Sequence, residues 1–232
     1  MVSTVPESER LAFPRTIRLI STGRLRESVL KPLVDTEDEL AALAEIEGAT
    51  SARLIAQDRG GADIHPNEFV YGVPHASFIN ASFAYAKPRE LCRFNGPDRG
   101  AWYAALQVET CIREVAFHMT EFLVRSGEFE TEVHYHELVA SLAGEYVDLR
   151  KADPDLAALN PDPAIGYPAG NELAADLRRA NVTGVVYPSA RHEGGTCIAV
   201  FTPSGVQSVA QGAIYRFVWS GSPTPVVEKQ DE

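Results

Sequence analysis

The sequence predicts an α+β fold: a single compact domain in which a central, bent or split mixed β-sheet is flanked by helices. Three observations carry that expectation. From Val108 to Val124 the apolar positions Cys111, Ile112, Val115, Met119, Phe122 and Leu123 recur at helical spacing, the pattern of one long helix with a single buried stripe. From Phe129 to His136, apolar and aromatic residues alternate with Glu130, Glu132, His134 and His136, the period-two pattern of a strand with one wet face. Short strand-like runs elsewhere outnumber helix-like ones, which puts a sheet rather than a helical bundle at the centre.

In chain order, Ile17 to Ile20 is a strand-like apolar run, and Thr36-Glu37-Asp38-Glu39 is a capping-box pattern that opens a helix with Leu40, Leu43 and Ile46 on one side. Asp58 to Pro66 reads as a loop. Ala76 to Tyr85 has the aromatic and β-branched content of a strand. After the helix at 108–124 and the strand at 129–136, Tyr146 to Leu149 reads as a further short strand. Pro154 to Pro168 also contains Pro161 and Pro163 and reads as a long connection, followed by a helix from about Asn171 to Ala180 with Leu173 and Leu177 inward. Gly184 to Tyr187 and Thr196 to Phe201 read as strands separated by the polar loop Ser189 to Gly195, and Ala213 to Trp219 as the last strand. By this reading residues 1–75 are an N-terminal extension packed on the core, 76–220 the main domain and 221–232 a C-terminal tail.

Bulk properties narrow the function classes. The chain has 232 residues, 45% of them hydrophobic and 23% charged, which are ordinary values for a globular protein. Its 32 acidic and 21 basic residues give a net charge of −11, a field that repels nucleic acid and anionic lipid, so neither direct nucleic-acid binding nor membrane binding is expected. An anionic small substrate then needs a few arginines to reverse the sign locally, which singles out Arg93, Arg99 and Arg191. The 3 cysteines are widely spaced and form no C-x-x-C pair, so neither a disulfide framework nor a thiolate zinc site is indicated. With no apolar leader and no run approaching the ~18 residues needed to span a bilayer, the sequence reads as cytoplasmic.

The richest segment is Cys92 to His118, CRFNGPDRGAWYAALQVETCIREVAFH. Arg93 offers a guanidinium that can fork onto phosphate, Tyr103 a ring that can stack, and Glu114 a carboxylate able to steady a developing positive charge. On the helical projection Glu114 falls about 60° outside the edge of the apolar stripe, with His118 one turn further on, where a cleft wall would be. The alternative on residue types alone is a buried Arg–Glu pair beside a core tyrosine. Gly184-Val-Val-Tyr187-Pro188-Ser189-Ala190-Arg191 is an apolar strand running into a Pro-Ser loop; no G-x-S-x-G occurs, which disfavours serine-hydrolase chemistry. His134 and His136, with Glu114 and His118, leave metal binding as a minor alternative, but no tight ligand grouping exists and no metal is expected. Neither a P-loop nor a G-x-G-x-x-G turn is present, so side chains would do the phosphate work.

These residues resemble the RES-domain family, the toxin half of RES–Xre toxin–antitoxin systems, named for a shared Arg, Glu and Ser. Arg93-Phe94-Asn95 resembles the family's Arg-Trp/Phe-Asn, Tyr103 its strand tyrosine, Glu109-Thr110-Cys111 leading to Glu114-Val115 its helix, and Gly184 to Ser189 its Tyr-Pro-Ser segment. The Gly pair that usually precedes the Arg is Leu91-Cys92 here. The likeness runs from about Ala76 to Trp219. It implies a fold related to ADP-ribosyltransferases, NAD⁺ as substrate, and cleavage of the nicotinamide–ribose bond by hydrolysis or phosphorolysis, with inorganic phosphate as a possible co-substrate and no permanently bound cofactor. Transfer of ADP-ribose to a protein is the rival reaction, and a non-catalytic ligand- or metal-binding domain the rival of another class. By position, Arg93, Tyr103 and Glu114 are the implied catalytic set; Arg93, Asn95, Tyr103, Ser189 and Arg191 are the implied substrate contacts. The implied partner is an Xre-type helix-turn-helix antitoxin.

Overall fold

A computed structural model describes residues 5–22, 64–84 and 91–230. The expected helix opening at Thr36 and all but the end of the loop from Asp58 to Pro66 lie outside these residues. Among the described residues, seven strands form one mixed sheet in the order β1-β2-β5-β4-β3-β6-β7, with β1 also pairing β3. The strands are β1 (Ser8–Ser21), β2 (Trp102–Ala105), β3 (Glu130–Asp148), β4 (Gly184–Pro188), β5 (Thr196–Val200), β6 (Val206–Ser220) and β7 (Val226–Gln230). Because β1 pairs β2 through Ile17 and Ala105 as well as β3 along its length, the sheet bends round and closes on itself, with β6 and β7 continuing from β3 as a ribbon. Three helices pack on it: α1 (Ala76–Ala84), α2 (Val108–Ser126) and α3 (Pro163–Arg179). This is the predicted α+β domain with a bent, mixed sheet, and it is compatible with an ADP-ribosyltransferase-like arrangement.

Each helix covers its own apolar cluster. Phe78, Ile79 and Phe83 of α1 join Trp102, Leu138, Leu142 and Tyr146; α2 covers Ile17, Leu19, Phe217 and Trp219; α3 covers Phe94, Val185, Ala199 and Phe201. The helix α2 spans the predicted segment and stops where Gly127 turns left-handed at φ 72°, its N–H returning to the Leu123 carbonyl.

Several elements differ from the sequence reading, β1 and β6 each extending well N-terminal of the runs read at 17–20 and 213–219. Ala76 to Ala84 is helix, not strand: Phe78, Ile79, Asn80 and Phe83 are all buried in it, and tertiary burial overrides the β-leaning composition. Its buried Asn80 holds the preceding segment, accepting from the Val70 N–H at 3.0 Å and donating to the Val70 carbonyl at 2.9 Å. The strands read at 129–136 and 146–149 are one strand, β3; its middle is rich in Ala, Ser and Gly, and pairing to β1 on one edge and β6 on the other carries it through. The helix expected from Asn171 begins at Pro163, which fills the first helical position, where its missing N–H costs nothing, behind an Asp162 side chain that caps the Ala164 N–H at 2.9 Å. Pro168 lies inside that helix. Beyond Trp219, Val226–Gln230 pairs with β6 as an edge strand.

Candidate active site

The closed part of the sheet has a floor made by one rung of side chains. Ala105 pairs Cys197, which pairs Tyr187, so these three stand side by side on one face, with Tyr103 two residues along β2 on the same side. The helix α2 and the loops before β2 and after β4 wall this floor into a cavity of about 250 Å³. Its lining includes Arg93, Tyr103, Glu114 and Arg191, so four of the residues singled out by sequence meet in one place. Asn95 and Ser189 are not in the lining; each instead holds a residue that is.

Arg93 is built into the wall by α3. One guanidinium nitrogen donates to the carbonyls of Ala158 at 2.9 Å and Asn160 at 2.8 Å, and the group lies 5.4 Å from the Tyr167 ring centroid. Room for it comes from glycines one helical turn apart. A Cβ on Gly170 would fall 2.1 Å from the Arg93 carbonyl, and one on Gly166 would fall 2.7 Å from the guanidinium. Glycine costs a helix roughly 0.5–1 kcal/mol relative to alanine, and here it is kept because backbone and guanidinium pass through the space. The Asn171 amide donates to the Cys92 carbonyl at 2.7 Å and fixes the same loop.

Tyr103 presents its ring while its hydroxyl is committed to structure. The hydroxyl donates to Asn95 Oδ1 at 2.9 Å and accepts from the Phe94 N–H at 3.0 Å. Burial, with Cys92 nearby, pushes its pKa well above the ordinary tyrosine value, so the ring acts as a neutral wall and not as a base. The same holds for Tyr187, raised by burial, and for the Cys111 thiol, which burial pushes up to about 12.

Glu114 sits on α2 where the sequence placed it, at the edge of the apolar stripe. Ser189 Oγ donates to its Oε1 at 2.6 Å, and the Cys197 thiol lies 3.7 Å from the same oxygen. Ser189 Oγ itself accepts from the N–H groups of Arg191 at 3.1 Å and His192 at 3.0 Å, so its single proton is directed at the carboxylate. A hydrogen bond to a charged group of this kind contributes about 1.5–3 kcal/mol. Arg191 spans the mouth: its guanidinium carbon is 3.4 Å from the Phe117 ring centroid and one nitrogen donates to the Pro161 carbonyl at 2.7 Å. Arg93 and Arg191 are thus both tethered to the segment between Ala158 and Pro161.

Arg99, the third arginine noted for charge reversal, lies elsewhere. It forks onto the Glu68 carboxylate at 2.6 and 3.2 Å and donates to the Phe201 carbonyl. Its place is taken by Arg18, a cavity residue that sequence reading missed, 4.8 Å over the Trp102 ring. The signal was present: a charge inside the apolar run Ile17 to Ile20. Tyr167 and Tyr187 also line the cavity, the first hidden between prolines, the second inside the Tyr-Pro-Ser segment but given no role. Glu114 is the one acidic residue among the lining, which it shares with Arg18, Arg93 and Arg191 in a chain of net charge −11. Among the described residues no group of His, Cys, Asp and Glu is arranged to hold a metal, and His134 instead bonds Glu132 on the exposed face. Among them too, no helix is long and apolar enough to cross a membrane.

The family model for the RES domain matches residues 69–220, a span that takes in Arg93, Tyr103, Glu114 and Ser189. The chain belongs to the RES-domain family. RES-domain proteins are toxins of RES–Xre toxin–antitoxin systems. An uncharacterized protein of Sinorhizobium fredii (strain NBRC 101917 / NGR234), y4oC, is 27% identical over 189 residues, which cover 81% of this chain and 75% of the relative. Within this RES-domain chain, Arg18 and Leu19 stand outside the matched span, so the N-terminal strand adds a cation and an apolar side chain to a cavity otherwise lined by the matched segment.

Proposed function

We propose that the cavity takes the nicotinamide–ribose end of NAD⁺ and that the protein is a toxin that depletes NAD⁺ by cleaving the bond between them. The observation that carries this reading is the Glu114 carboxylate, oriented by Ser189, lining one cavity together with three arginines in an otherwise acidic chain. Nicotinamide in NAD⁺ is already cationic, so it departs with the C1′–N electron pair and needs no proton. What the reaction requires is a negative group beneath the ribosyl cation that forms.

In this reading Glu114 stabilises that cation, and Ser189 acts by holding Glu114. Tyr103 and Tyr187 offer flat, neutral surface to the pyridine ring. Arg93, Arg191 and Arg18 bind the pyrophosphate, with charge-assisted bonds that an acidic protein must supply locally. Water or inorganic phosphate then adds to C1′, giving ADP-ribose or its phosphate adduct. The reaction takes place in the cytoplasm, and an Xre-type helix-turn-helix antitoxin restrains it by covering the cavity.

Incubation with NAD⁺ labelled in the adenylate half tests the reading and names the acceptor. Labelled free ADP-ribose, or ADP-ribose phosphate when phosphate is present, is the expected product. Label on protein would replace this reading with ADP-ribosyl transfer, and intact NAD⁺ in every condition would remove both.

A further inference from the structure

We propose that His192 is a positioning residue for the Ser189–Glu114 pair, acting through Thr110 to hold the loop 189–195 against α2; this rests on the NAD⁺-cleaving reading above. Three residues of the loop land on one stripe of the helix: His192 on Thr110, Ser189 on Glu114 and Arg191 on Phe117. Those helix positions follow the i, i+4, i+7 spacing of a single face.

The outermost contact is the most enclosed. Thr110 is fully buried, and its Oγ1 lies 2.9 Å from His192 Nδ1. One hydrogen bond joins Thr110 Oγ1 and His192 Nδ1, and Gln107 Oε1 lies 3.4 Å from the same hydroxyl. A Cβ at position 195 would stand 2.7 Å from Thr110 Oγ1 and 2.9 Å from His192 Nδ1, so Gly195 provides the space in which the pair meets.

The consequence runs through the backbone of the same residue. The His192 N–H, with that of Arg191, occupies the acceptor side of Ser189 Oγ and thereby aims the hydroxyl proton at Glu114. Its carbonyl accepts from the Gly195 N–H at 2.9 Å and closes the loop. Releasing the ring from Thr110 frees the amide behind Ser189, lets the hydroxyl rotate, and removes the bond that orients the carboxylate. The role is one of geometry, since His192 is absent from the cavity lining.

The test compares His192→Ala, His192→Asn, His192→Gln and Thr110→Val in nicotinamide release from NAD⁺, with amide hydrogen exchange in parallel. His192→Ala and Thr110→Val should each lower kcat by about tenfold with KM changed less than about threefold, and the double variant should fall no further than either. His192→Asn, whose amide reaches the place of Nδ1, should recover to within about threefold of the unaltered protein, whereas the longer His192→Gln should not. Exchange at the Arg191 and His192 amides should quicken in His192→Ala and slow again in His192→Asn. An unchanged kcat or unchanged exchange in His192→Ala, failure of His192→Asn to recover, or additive losses in the double variant overturns the positioning role. Absence of nicotinamide release by the unaltered protein overturns the NAD⁺ reading instead, and the exchange result still decides whether His192 holds the loop.

Discussion

The hydroxyl of Ser189 donates a 2.6 Å hydrogen bond to the carboxylate of Glu114, 75 residues earlier in the chain, and two backbone amides behind Ser189 leave that proton no other direction. The serine and glutamate that the family's name joins are therefore one unit in space, in which the serine sets where the carboxylate points. Ser189→Ala should keep the fold and lower kcat for NAD⁺ loss by about tenfold to a hundredfold with little change in KM, because it removes an orienting bond and not a substrate contact. Steady-state kinetics on the purified variant check this, and a raised KM at unchanged kcat would mean that Ser189 contacts substrate directly.

Arg93 owes its position to missing side chains on α3. Gly170→Ala places a methyl carbon 2.1 Å from the Arg93 carbonyl, a backbone atom with no room to swing aside. The substitution should destabilise the protein by about 1–3 kcal/mol despite alanine's better helix propensity, as urea denaturation would read. Arg93→Lys should lose most activity, since an ammonium cannot hold both the Ala158 and Asn160 carbonyls and still present a fork to phosphate.

The cavity thiols differ in reactivity. Cys111 and Cys197 are buried and their pKa values are raised, Cys111 to about 12, both chiefly by burial, whereas Cys92 is half-exposed. Iodoacetamide at pH 8 should modify Cys92 first, and NAD⁺ should slow that modification by filling the cavity. Mass spectrometry after short exposure reads the order, and early labelling of Cys197 would contradict it.

Acid stability should carry the mark of Asp148. Its buried carboxylate is bonded by the Arg150 side chain at 2.8 Å, which holds its pKa below the ordinary 3.8. A depressed carboxylate stabilises the fold fully above its unfolded value and loses that contribution as pH falls through the lower folded value. Thermal midpoints should therefore drop below about pH 4 in the unaltered protein, while Asp148→Asn starts lower at pH 7 and declines less steeply over the same interval.

What could be read from the sequence was local. The helix at 108–124 declared itself because its stripe faces one cluster, and Glu114 could be placed at the stripe's edge by angle alone. Arg93, Tyr103 and Arg191 stood out by residue type. The resemblance rested on motifs, and the match over 69–220 bears it out. What failed depends on distant partners. Ala76 to Ala84 is helical because of what it is buried against, and the middle of β3 is extended because strands lie on both its edges. Arg18 reaches the cavity only because β1 closes the sheet onto β2, a pairing that leaves no trace in either segment. The hydroxyl partners of Tyr103 and the Thr110–His192 contact are equally products of folding.

The most direct measurement is nicotinamide released from NAD⁺ by the purified protein and by its Glu114→Gln variant, with circular dichroism confirming that both are folded. Steady release by the first and a loss of at least about a hundredfold in the second are expected, since the near-isosteric amide keeps the shape and removes the charge beneath the ribosyl cation. Equal release by both proteins, or none by the unaltered one, would contradict this expectation.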